Sequence, residues 1–109
     1  MPAWIRADPE RAISIDRNRA ERWARLVEAA RSLGILDVAR RLDCGDPVRR
    51  GREFVVRCPL HRDETPSCRL DPTSNVWFCD PCAEGGDALA LFMRARRLDF
   101  GAAVRELVL

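Results

Sequence analysis

An α+β fold, in which a small antiparallel sheet lies between N-terminal and C-terminal helices, follows from three features of the sequence. Apolar residues recur at helical spacing towards both ends of the chain, and short runs rich in aromatic and β-branched residues occupy its middle. Two closely spaced pairs drawn from cysteine and histidine, Cys58/His61 and Cys79/Cys82, each follow directly on one of those runs.

Residues 1–17 carry Pro2 and Pro9, scattered charges and no clear period, which predicts a loosely ordered arm ahead of a single domain over residues 18–109. Asn18 followed by Glu21 has the form of a capping box. Ala20, Trp23, Leu26, Val27 and Ala30 then make one apolar stripe, so residues 19–32 are expected to be helical. Gly34 is the expected left-handed stop. Ile35, Val38, Ala39 and Leu42 repeat the helical period in a shorter helix ending near Cys44-Gly45-Asp46-Pro47.

From there the period shortens. Residues 52–57 and 67–71 read as strands, residues 72–75 as a turn, and residues 76–78 as a third strand. Gly85-Gly86-Asp87 is expected to break the sheet and cap a helix with Leu89, Phe92 and Met93 on its apolar side. Asp99 is expected to cap a last helix carrying Ala103, Val104 and Leu107.

A chain of 109 residues buries only about two-thirds of its unfolded surface, so an additional staple would help it fold. No apolar run approaches the ~18 residues of a membrane helix, and the N-terminus lacks the basic start and apolar core of a secretory signal. A cytoplasmic setting is therefore expected, where thiols stay reduced. Five cysteines, an odd number, then argue for metal binding over a disulfide framework.

In Cys58-Pro59-Leu60-His61 and Cys79-Asp80-Pro81-Cys82, the two-residue gap lets one tight turn aim both side chains at a single ion. The stretch 62–78 is long enough to bring the second pair back to the first. Three thiolates and an imidazole select Zn²⁺ over Mg²⁺ or Ca²⁺, and four protein ligands leave no place for a catalytic water. One structural zinc ion per chain is the expectation. A ligand set with Cys68 in place of His61 would give up the tight first turn. Cys68 alternates with Leu70 and is expected in the core, and Cys44 in a turn.

CPLHRDETPSCRL, then VWFCDPCAEGGDALALFM and LDFGAAVREL, resemble the N-terminal zinc-binding domain of bacterial and phage replicative DNA primases, whose ligands run Cys-His-Cys-Cys. The ligand spacings, Glu-Thr-Pro-Ser at 64–67 and Gly-Gly-Asp at 85–87 all fall in register. Cys68 stands where the family usually has Phe, and Asp80-Pro81 where Phe-Gly is common. The resemblance covers roughly residues 35–107 and implies a zinc ribbon flanked by helices. It also implies a role in primer initiation on a single-stranded template, with nucleotide condensation performed by a separate catalytic core.

All nineteen basic residues are Arg. The guanidinium fork suits phosphate contact and stacking on bases, although a GC-rich coding sequence alone would produce the same bias. Arg52, Arg57, Arg62 and Arg69 are the candidate phosphate contacts. Strand alternation suggests Trp77 as the stacking ring on the face away from the core, with burial beneath a helix as its alternative. Expected partners are single-stranded DNA and a primase catalytic core or replicative helicase. A second possibility is a protein-interaction module of a phage or mobile element, binding a helicase, polymerase or transposition protein. That reading requires Trp23, Leu26 and Val27 to form an exposed apolar patch. No catalytic residues are assigned, because the sequence offers neither a free histidine in a triad nor a clustered set of carboxylates.

Overall fold

Helix α1 spans Pro9–Ser32 in a computed structural model that describes residues 9–62 and 64–109, with side chains from Arg17 onward. It begins well before the expected residue 19, so the arm expected over residues 1–17 is helical from Pro9, while residues 1–8 lie outside the described part. A proline in the first turn does not break a helix, since the N–H it lacks would have no partner there. Gly34 separates α1 from α2 (Ile35–Arg41), but as the N-cap of α2 in extended geometry, φ −69° and ψ 143°, not as a left-handed stop.

Five strands follow: β1 (Val48–Arg50), β2 (Glu53–Val56), β3 (Cys68–Asp71), β4 (Val76–Cys79) and β5 (Glu84–Asp87). They form one antiparallel meander in the order β1-β2-β3-β4-β5. Three of these strands match the sequence expectation, and the two edge strands do not. β1 has only three residues, all exposed, and turns into β2 through Gly51 at φ +63°, a conformation that glycine adopts without steric cost. β5 contains the Gly85-Gly86 pair that was expected to end the sheet. Instead Gly86 pairs with Trp77 and Gly85 with Phe78.

Two helices complete the chain, α3 (Ala88–Arg96) and α4 (Phe100–Val108). Both begin at the expected caps: Asp87 Oδ1 accepts from the Ala90 N–H at 2.7 Å, and Asp99 Oδ1 accepts from that of Ala102 at 2.8 Å. Each satisfies a first-turn donor that has no partner within its helix.

The molecule is layered. Helices α2 and α3 pack on one face of the sheet, and α1 with α4 packs against α3 on the side away from it. The core runs through these layers, with Ile35, Val38, Val56, Leu70, Leu91 and Val104 fully buried. Burying each such side chain contributes roughly 1.5–3 kcal/mol. Trp23, Leu26 and Val27 are half-buried against this core, and Trp23 meets the Phe100 ring edge-on at a centroid distance of 6.5 Å. They form no exposed apolar patch. Among the described residues, no helix is long and apolar enough to cross a membrane.

One side chain ties the helical joint to the sheet. Asn75, at φ +59° in the β3–β4 turn, accepts from the Ile35 N–H at 2.7 Å and donates to the Leu33 carbonyl at 3.0 Å. Asn tolerates the left-handed region better than most residues, and its amide supplies both the acceptor and the donor that the α1–α2 junction requires. Asn75→Ala is expected to lower stability by about 1–3 kcal/mol, because partly buried backbone groups lose their partners. Urea denaturation of the zinc-loaded chain measures it, and Asn75→Asp, which keeps only the acceptor, should fall between the two.

Candidate metal centre and the uncovered sheet face

The first turn with a ligand pair leaves the end of β2, and the second leaves the end of β4, so the antiparallel pairing brings them to one end of the sheet. Cys58, His61, Cys79 and Cys82 form a group whose ligand atoms all lie within 4.8 Å of one another. Cys58 Sγ and Cys82 Sγ are 3.9 Å apart, and Cys79 Sγ and His61 Nδ1 also 3.9 Å. A zinc tetrahedron with metal–sulfur arms of ~2.3 Å has edges of roughly 3.8 Å, so the donors are spaced to close around that ion. His61 turns Nδ1 towards the sulfurs, at 3.0 Å from Cys82 Sγ. The Leu60 N–H points at Cys58 Sγ at 3.4 Å, and Ser67 Oγ lies 3.7 Å from Cys79 Sγ.

The chemistry of this donor set matches the fit. Burial, with the neighbouring Cys79 thiol adding to it, pushes Cys58 well above the ordinary thiol range, while the Leu60 N–H opposes the shift. Desolvation raises Cys82 as well, again with help from Cys79. Packed thiols resist ionising together, and a divalent cation reverses that preference by stabilising each thiolate. Cys68, fully buried beside Leu70, fills the core as its alternation implies. Cys44 is also buried, and its thiol is pushed up to about 11 by burial and by the adjacent Asp43 carboxylate.

The sheet has two unlike faces. The inner one carries Val56, Cys68, Leu70, Trp77 and Cys79, all buried. The outer one carries the exposed Val48, Arg69, Val76 and Phe78 and the buried Val55, and among the described residues no helix packs closely on it. Trp77 is thus not on the outer face as expected. It is 3% exposed, with its indole N–H donating to the Asp87 carbonyl at 2.9 Å. The exposed ring is Phe78, 40% accessible. Parity in the strand explains both: side chains two apart share a face, so Trp77 must lie on the same side as the buried Cys79.

Phe78 lies over β5 where Gly85 leaves room for it. A Cβ at Gly85 would come within 2.9 Å of the Phe78 ring and 2.6 Å of the Trp77 carbonyl oxygen. The Arg69 guanidinium sits 5.3 Å from the Phe78 ring centroid, a cation–π arrangement. It also pairs with Asp80 at 3.2 Å and Glu53 at 3.9 Å. An open groove of mixed charge adjoins this ring, lined by Arg50 and Arg69, by the carboxylates of Glu53 and Asp80, and by Val55 and Pro66. Of the other candidate contacts, Arg52 lies in the β1–β2 turn, Arg57 just past β2 and Arg62 beside His61, all exposed at the margins of the sheet.

Comparison with known proteins agrees with this architecture. The family model described as CHC2 zinc finger matches residues 35–109. A DNA primase of Pseudomonas putida is 36% identical over 78 residues, covering 65% of this chain and 12% of that protein. A DNA primase of Treponema pallidum is 40% identical over 58 residues, covering 52% and 10%. The crystal structure of the zinc-binding and RNA polymerase domains of the Aquifex aeolicus primase is similar with a TM-score of 0.64 and 26% identity. That match covers 75% of this chain and 20% of the Aquifex one. The chain thus spans about a tenth of the length of these curated relatives.

Proposed function

Because the chain belongs to the CHC2 zinc finger family of primase zinc-binding domains, we propose that its zinc-braced sheet binds single-stranded DNA and assists a primase in template recognition and primer initiation. Cys58, His61, Cys79 and Cys82 are the ligands of one structural zinc ion. Nucleotide condensation belongs to a catalytic primase core, in the same polypeptide or a separate one, with a replicative helicase as a further partner.

The observation that supports this reading is the uncovered outer face, where Phe78 and Val76 lie open beside Arg69. Single strands are bound sequence-tolerantly by such surfaces, with rings stacking on bases and guanidinium groups tracking phosphates. Arg69 is not idle in the free chain, since it pairs with Asp80 and Glu53. Exposed pairs of this kind are worth only about 0–1 kcal/mol, so a phosphate can displace them. The Phe78 ring then holds the guanidinium in place as its partner changes. Arg52, Arg57 and Arg62 extend the positive margin along which a strand can run.

Phe78→Ala is expected to weaken binding to a labelled oligothymidylate by about 1–3 kcal/mol of lost stacking, with the zinc content and circular dichroism of the parent. Arg69→Ala should lower both affinity and the steepness of its salt dependence. Wild-type affinity in Phe78→Ala would remove the sheet face from consideration. The matching functional assay is stimulation of primer synthesis by a primase core that lacks its own zinc domain.

A further inference from the structure

The helical layer carries a second basic surface, separate from the sheet. Over residues 17–32, α1 holds five arginines against two glutamates, a net charge of +3 where the whole chain has only +2. This helix precedes the family match, which begins at Ile35. None of the five forms an ion pair among the described residues.

The charges are not spread evenly around the helix. At about 100° per residue, Arg19 lies some 40° from Trp23 and Arg22 some 100°, while Glu21 and Glu28 fall roughly 140–160° away on the far side. The positive flank therefore borders the groove between α1 and α4, which is lined by Arg19, Ala20, Trp23 and Arg105 and has a volume of about 410 Å³. Within it the Arg105 guanidinium lies over the Trp23 ring at 5.1 Å. Gly101 makes space for that posture, because a Cβ there would stand only 3.2 Å from Arg105 Nη1.

We infer that this groove is a second contact for single-stranded DNA, in which Arg19 and Arg22 take backbone phosphates and Arg105, held over the Trp23 ring, offers its guanidinium for a base to stack on. Guanidinium planes accept bases as aromatic rings do, and paired forks suit phosphate oxygens. Charge complementarity selects the occupant: Glu21 and Glu28 lie on the far side of α1, and the groove presents the guanidinium groups of Arg19 and Arg105 with an aromatic floor. The α2–α3 layer stands between this groove and the sheet, so the two surfaces cannot form one straight channel. A strand must either wrap the domain or engage the surfaces as separate segments. The inference goes beyond the sheet-face reading and does not depend on it.

The test uses the full zinc-loaded chain and labelled oligothymidylates of graded length, with fluorescence anisotropy across a salt series. Arg19→Ala/Arg22→Ala removes two exposed side chains, and circular dichroism and zinc content verify the fold. Loss of two charge-assisted contacts is expected to weaken binding on the order of tenfold at low salt, and to reduce the salt slope by about 1.4. Photocrosslinking with iodouracil-substituted strands should label α1 or α4 peptides, and should still do so in Phe78→Ala. An unchanged affinity and slope in the double variant, with crosslinks confined to the sheet, overturns the inference and leaves the sheet-face reading intact. Crosslinks confined to α1 and α4 in the parent chain support the groove and sink the sheet-face reading instead. A parent chain that binds no single strand at low salt overturns both. Capture of the groove by an acidic peptide, with DNA affinity unaltered by the double variant, assigns the surface to a protein and likewise overturns it.

Discussion

His61→Ala is expected to abolish the native tertiary structure of the ribbon and, with it, stoichiometric zinc retention. Structural zinc contributes an apparent ~10–16 kcal/mol in small domains, whereas the whole margin of stability of a domain is about 5–15 kcal/mol. Removing one of four ligands therefore weakens a contribution as large as the whole margin. Geometry sharpens the expectation: the four donors come from turns leaving β2 and β4, so the ion closes the sheet at that end. Near-ultraviolet circular dichroism and zinc analysis on the purified variant measure the outcome, and chelation of the parent chain should reproduce it. His61→Cys, which restores a four-ligand thiolate set, should recover zinc and fold together. A His61→Ala protein holding one zinc with a native spectrum contradicts the ligand assignment.

Trp77→Ala is expected to cost about 3–5 kcal/mol. The indole is 3% exposed and fills the space between the sheet and α3, and its N–H satisfies the Asp87 carbonyl. Trp77→Phe separates the two contributions, retaining most of the apolar volume but losing the hydrogen bond, which is worth about 1 kcal/mol. Chemical denaturation of zinc-loaded protein gives both values. The contrast with its neighbour is the point: Phe78→Ala should leave stability nearly unchanged while reducing DNA affinity. A Trp77→Ala protein as stable as its parent would contradict the inward orientation of the ring.

That contrast also marks where the sequence was readable. The metal group was legible because a two-residue gap is a local constraint, and the caps at Asp87 and Asp99 because one side chain serves a donor three residues on. Cys68, Leu70 and the apolar side of α4 followed from periodicity, whereas on α3 the buried set includes Leu91, outside the expected stripe, and Met93 is only partly buried. Misreadings arose where tertiary pairing overrides local preference. β1 is too short to show alternation, and Gly85-Gly86 lacks every side-chain signal of a strand, yet the exposed edge of β4 pairs with it. Pro9 suggested an arm because proline breaks helices everywhere except at their start. The orientation of Trp77 was available in principle, since it lies two residues before Cys79 and a ligand delivered to a buried site fixes the parity of its strand.

The β3–β4 hairpin is held at both ends by unrelated means. At its open end Cys79 enters the metal group, and at its tip Asn75 is bonded to the joint between α1 and α2. A ribbon of four residues per strand anchored in this way has little freedom to twist or slide. In the proposed role, Phe78 and Arg69 therefore hold their mutual placement before a single strand binds, and the entropy of ordering them is met during folding and not on binding. Loosening the Asn75 anchor should appear first as a weaker grip on nucleic acid, under conditions where the zinc-braced fold itself still stands.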